Sequence, residues 1–164
     1  MTLENWVKSK LLERLNSDAD EIMRLLSTAD HFLEDYRKAV DGKLSADAQL
    51  DLAYGAIRNC ATAALRAAGY RVVRGGGNEH YYTIEALEFS IDPGRKLIPV
   101  LDQFRKKRHV GNYGDRGRAS QNEADTAGKN AVQLRKEVEE WIRKNHPDKI
   151  KNQAEAKDSS KKRE

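Results

Sequence analysis

The segment Leu50–Ala68 constrains this chain more than any other. Leu50, Ala53, Tyr54, Ile57, Ala61, Ala64, Leu65 and Ala68 recur at the spacing of one helical face. The run Ala61-Thr62-Ala63-Ala64 offers small side chains on which a neighbouring backbone can lie closely. A helix this apolar has to be covered by other elements. The segment is therefore expected to be the central helix of an all-helical domain, ended by Gly69.

The flanking segments carry the same periodicity. Residues 3–15 read as a short helix, with Leu3, Trp6, Val7, Lys10, Leu11 and Leu15 in one stripe. Ser17, ahead of Asp18, Asp20 and Glu21, reads as the cap of a second helix running to about Val40. Ser45 caps the central helix. Helices are further predicted over Glu79–Phe89 and over Lys96–His109, the latter with Leu97, Val100, Leu101 and Phe104 on one face. Ser120-Gln121-Asn122-Glu123 forms a capping box that opens a long final helix through Trp141 and Ile142. Tyr70-Arg71-Val72-Val73 is the single β-like run and is too short to predict a sheet. The expectation is an all-α, up-and-down helical bundle over residues 1–147, followed by a disordered charged tail over 148–164.

Composition narrows the function classes. Charged residues make up 34% of the 164 and apolar residues 38%, which suits a polar bundle with a thin core. The lone cysteine, Cys60, excludes an internal disulfide and points to a reducing, cytoplasmic setting. No apolar run reaches the roughly 18 residues of a membrane span, and the start lacks a signal-peptide pattern. His31, His80, His109 and His146 are scattered, so no metal site and no cofactor is expected.

Net charge is +4, and its distribution says more than its size. Arg105, Lys106, Lys107, Arg108, Arg116 and Arg118 fall in one stretch that holds a single acid, Asp115. That stretch is a candidate anion or nucleic-acid footprint. A solvated helix end, its cations complementing the dipole, is the plain alternative. Arg74-Gly75-Gly76-Gly77-Asn78-Glu79-His80 looks like a phosphate loop but lacks the Lys-Ser/Thr ending and a preceding strand, and reads as an interhelical connection. Cys60, inside an apolar helix, reads as a buried small residue.

Several segments together carry a resemblance: Leu52-Ala53-Tyr54-Gly55-Ala56-Ile57-Arg58, Ala63-Ala64-Leu65-Arg66-Ala67-Ala68-Gly69-Tyr70, His80-Tyr81-Tyr82-Thr83-Ile84-Glu85-Ala86-Leu87, then Phe104–Arg108, Tyr113 and Glu139-Glu140-Trp141. With these the chain resembles the HEPN superfamily of small bacterial helical proteins found in toxin–antitoxin, defence and nucleotidyltransferase-associated systems. The resemblance implies a homodimeric helical bundle. Nuclease members carry an arginine, a polar residue, three further residues and a histidine, paired across a dimer to cleave RNA without metal. Here Arg108 takes the arginine place, His109 the polar place, and Tyr113 stands where the histidine belongs. A phenol with a reference pKa near 10 is a poor proton acceptor at neutral pH.

The reading therefore leans to a binding or regulatory protein that holds RNA, a nucleotide or a protein partner through residues 105–118. The alternatives are a metal-independent ribonuclease using Arg108, His109 and Tyr113, and a partner of a nucleotidyltransferase with Tyr113 as modification acceptor.

Overall fold

The computed structural model describes residues 2–91, 94–111 and 119–151, and only the backbone of 94, 95 and 108–111. Among the described residues eight regular elements follow in order: α1 (Leu3–Lys8), β1 (Leu12–Arg14), α2 (Ala19–Asp41), α3 (Ala46–Ala67), β2 (Tyr70–Val72), α4 (Glu79–Glu85), α5 (Gly94–Gly111) and α6 (Gln121–Asn145). One 3-10 turn, Ala86–Phe89, prolongs α4, and another, Pro147–Lys149, follows α6.

The alanine-rich segment is the centre. Along α3, Ala53, Tyr54, Ala56, Ile57, Cys60 and Ala63 are fully buried. Two glycines let helices meet closely. A Cβ on Gly55 would lie 2.6 Å from the Phe32 ring of α2, and one on Gly128 of α6 would collide with the Tyr36 ring.

Cross-links fix the helix directions. Arg66 bonds Glu21 and Gly55 meets Phe32, so α2 and α3 are antiparallel. Arg135 donates to Asp30 at 2.8 Å while the Tyr36 hydroxyl donates to the Ala124 carbonyl at 3.3 Å, which sets α6 antiparallel to α2. Lys107 meets Glu123, and Leu97 lies across from Gln133 and Glu137, so α5 runs against α6. Consecutive long helices thus alternate in direction, as an up-and-down bundle requires. Its core joins Ile22, Leu26 and Ala29 of α2 to Leu101 of α5 and Ala131, Leu134, Val138 and Ile142 of α6 across α3. No described helix is long and apolar enough to cross a membrane.

Four local expectations need correction. The helix predicted over 3–15 stops at Lys8: Lys10 takes φ 57°, and Leu12–Arg14 turns to extended backbone. It pairs antiparallel with Tyr70–Val72, Leu12 opposite Val72 and Arg14 opposite Tyr70, so the short β-like run does form a two-stranded sheet. Hydrogen bonds from Leu15 to Gly69 and from Val73 to Leu11 extend it. The partner strand lies more than fifty positions away in sequence, outside the window of any local pattern. Trp6, Leu12, Leu65, Val72 and Ala86 form a second small core beneath this sheet, with Trp6 edge-on to Tyr82 and Phe89.

The cap of α2 is Asp18, whose carboxylate accepts from the Glu21 amide at 2.7 Å. Ser17 is buried and donates instead to the Arg66 carbonyl at 2.7 Å. Ser45 and Ser120 cap α3 and α6 as expected.

The packed domain also continues past 147. Ile150 is buried in the main core, Lys149 Nζ donates to the Ser17 carbonyl, and Lys151 pairs with Asp20 at 2.6 Å. Ile150 is the one large apolar residue there, and its burial holds the turn down. Residues 152–164 of the expected tail lie outside the described residues.

Candidate functional site

Helix α5 presents the basic run on its C-terminal turns, where cations complement the helix dipole. Each described cation there has an acidic partner. Arg105 Nε donates to Asp102 Oδ1 at 2.6 Å, and Lys106 Nζ lies 3.0 Å from Asp102 Oδ2. Lys107 Nζ lies 3.2 Å from Glu123 of α6. The i,i+3 and i,i+4 spacing of Asp102 to Arg105 and Lys106 was present in the sequence, yet the run reads there as bare positive charge. The Lys106 side chain is 67% exposed, whereas that of Lys107 is 42% exposed with its ammonium turned to Glu123. Burial pushes the Asp102 carboxyl up, but the bonds from Arg105 and Lys106 outweigh it and hold its pKa below the usual value.

The neighbouring surface of α4 brings in residues that charge counting overlooked. The Arg105 guanidinium sits 5.5 Å from the centre of the Tyr81 ring, a cation–π distance. Tyr81 stands edge-on to Tyr82 at 5.2 Å. Burial raises the pKa of Glu85, with further contributions from Asp102 and Glu88, while a bond from the Tyr81 hydroxyl works the other way. One residue earlier, His80 Nε2 lies 3.2 Å from Arg58 Nη1 of α3, and the imidazole leans on the Tyr54 ring at 6.5 Å. His80 reads in the sequence as a helix-start residue; it stands at that helix start and also touches an arginine from α3. The helical spacing of Arg58 and Tyr54 on α3 was visible, but only the tertiary fold sets α4 against them.

Of the residues singled out by spacing, Arg105, Lys106 and Lys107 lie together on α5. Arg108 and His109 are in its last turn, where the backbone alone is described. Tyr113, Arg116 and Arg118 lie outside the described residues.

Two other sequence candidates resolve differently. The Gly75 amide donates to Glu79 Oε1 at 2.8 Å, and this bond and one from Glu79's own amide hold that carboxyl below its usual range. Gly75 at φ 98° and Gly77 at φ 73° take left-handed backbone that favours glycine. The glycine loop thus already holds an internal carboxylate, and its resemblance to a phosphate loop ends there. Burial pushes the Cys60 thiol up to about 12, which leaves no thiolate at neutral pH. Among the described residues no group of three or more His, Cys, Asp or Glu side chains could hold a metal ion.

What the described residues assemble is two cation–ring pairs, Arg58 with His80 where α3 meets α4 and Arg105 with Tyr81 where α4 meets α5, with the exposed Lys106 next to Arg105. Such a set can hold phosphates and stack on bases. Comparison with protein-family models, curated proteins and solved structures finds no match for this chain, so the case for the site rests on its own geometry and chemistry.

Proposed function

We propose that this chain is a HEPN-like binding and regulatory protein that holds RNA on the α3–α4–α5 surface, in a toxin–antitoxin-like or defence setting. The observation that carries the reading is the cation–aromatic arrangement: Lys106 67% exposed, and Arg105 set against Tyr81. Lysine heads neutralise phosphates, and a ring beside an arginine suits bases. The up-and-down bundle is the architecture that the HEPN resemblance implies, and self-association is part of the proposal.

Binding is tested with the full chain and mixed-sequence RNA at low salt. Tight binding that weakens in Lys106→Ala, Lys107→Ala and Arg108→Ala supports the reading, and its absence in the unaltered chain removes it. Light scattering checks self-association: a single species at the 18.6 kDa chain mass at micromolar concentration refutes the dimer.

A ribonuclease is the second reading, favoured by the imidazole of His80 beside Arg58. An imidazole can exchange a proton near neutral pH while a guanidinium holds the phosphodiester. RNA cleavage in EDTA that is lost in both Arg58→Ala and His80→Ala would establish it in place of simple binding.

A further inference from the structure

Tyr81 is misplaced for a core residue. Its neighbour Tyr82 packs on the small core with Trp6, whereas Tyr81 belongs to neither apolar cluster. It lies half-buried on the outside of α4. An aromatic ring left there gains little from burial.

The ring is nonetheless held in place. Arg105 lies against it, and Arg105 is itself fixed through Nε by Asp102. Glu85, one turn along α4, lies near enough to act on the Tyr81 hydroxyl electrostatically. The arginine is therefore braced before any ligand arrives, which lowers the entropy cost of binding.

The local charge decides what the pair suits. Arg105 and Lys106 share Asp102, and Glu85 and Glu88 lie close by. Two cations against three carboxylates give a phosphate little to gain directly over Tyr81. A neutral π-face gains dispersion and cation–π contact there without meeting a field of one sign. Lys106 follows Arg105 on α5 with its side chain 67% exposed, whereas Lys107, two residues on, turns to Glu123 of α6.

We infer that Tyr81, braced by Arg105, is a stacking platform for an unpaired nucleobase, with Lys106 receiving an adjoining phosphate. The inference rests on the RNA-binding reading and makes it narrower. The ligand is a single strand, because the base faces of a duplex are already stacked inside it.

The test uses the full chain and fluorescence anisotropy. The probes are a labelled single-stranded RNA of roughly 12 nucleotides, within the span such surfaces cover, and a duplex of equal length. Tyr81→Leu is expected to weaken single-strand binding by about tenfold or more. It should leave duplex binding and the salt slope unchanged. Tyr81→Phe keeps the ring and should bind within about twofold of the unaltered chain, since stacking needs no hydroxyl. Lys106→Ala should flatten the salt dependence for both probes. Thermal melts of each variant separate lost contact from lost fold.

Equal affinity for both probes, with no effect of Tyr81→Leu but clear loss in the lysine variant, overturns the platform and leaves RNA binding standing. Tyr81→Phe as weak as Tyr81→Leu also overturns it, by assigning the effect to the hydroxyl. Absence of RNA binding by the unaltered chain removes both.

Discussion

Arg66 is the side chain whose loss should cost this fold most. It sits in the last turn of α3 and is 6% exposed. Its guanidinium donates to both oxygens of Glu21, at 2.7 and 3.2 Å. It also donates to the carbonyls of Leu15 at 2.6 Å, Asn16 at 2.8 Å and Tyr70 at 3.1 Å. One planar group thus ties α2, α3 and the ends of both strands together. Arg66→Met keeps much of the stem and removes every donor. Stripping one partner from a buried ion pair costs about 3–5 kcal/mol. Glu21 is a third exposed, so water recovers part of that loss. The three carbonyls lose their charged donor in a site with little water, and a buried unsatisfied group costs about 1–3 kcal/mol.

The sum should fall near 4 kcal/mol, a large share of the roughly 5–15 kcal/mol that holds a domain folded. With a urea slope of about 2 kcal/mol per molar, the unfolding midpoint should drop by roughly 2 M. Arg66→Lys should recover only part, because a single ammonium cannot span the fork. Hydrogen exchange at the Leu15 amide, which bonds Gly69, should quicken in step. A midpoint shift under roughly 0.5 M for Arg66→Met would refute the claim that this group anchors the N-terminal segment.

Three further outcomes follow from the packing. Gly55→Ala should destabilise by about 1–2 kcal/mol, because the clash with Phe32 outweighs the gain in helix propensity, and in a Phe32→Ala background it should stabilise instead; urea midpoints of the four chains check the reversal. Cys60 should react with a thiol reagent only as fast as the domain opens, and burst labelling of native protein at pH 8 would contradict its burial. Burial lowers the pKa of His146 in the folded chain below its ordinary 6.5, so the unfolded chain binds more protons as pH falls through that value. Its contribution is present above pH 6.5 and is lost on acidification below it. The fall in urea midpoint between pH 7 and pH 5 should be smaller in His146→Asn, and an unchanged fall would count against it.

The helices were legible because each carries its own evidence within a turn or two. The stripe of α3 and the serine caps of α3 and α6 are all local, and period 3.6 announces which face is buried. The strands were not legible: three residues carry no period, and Leu12–Arg14 becomes a strand only because Tyr70–Val72 lies beside it. Ser17 and Asp18 look alike as caps, and the choice fell to the Arg66 carbonyl that claims the serine. The candidate site divides in the same manner. Arg105, Lys106 and Lys107 stood out as charge in the sequence, whereas Tyr81 and His80 gained meaning only once α4 lay against α3 and α5.

Sequence alone therefore determined the all-helical class, the central place of the alanine-rich segment and the basic end of α5, since periodicity, small side chains and charge are properties of neighbours along the chain. Tertiary structure decided how that charge is used. Asp102 and Glu123 temper the lysines, Arg105 is turned onto Tyr81, and Arg66 is spent inside the fold, because a long cationic side chain takes its role from whichever acceptor or ring comes within a few ångströms of its tip.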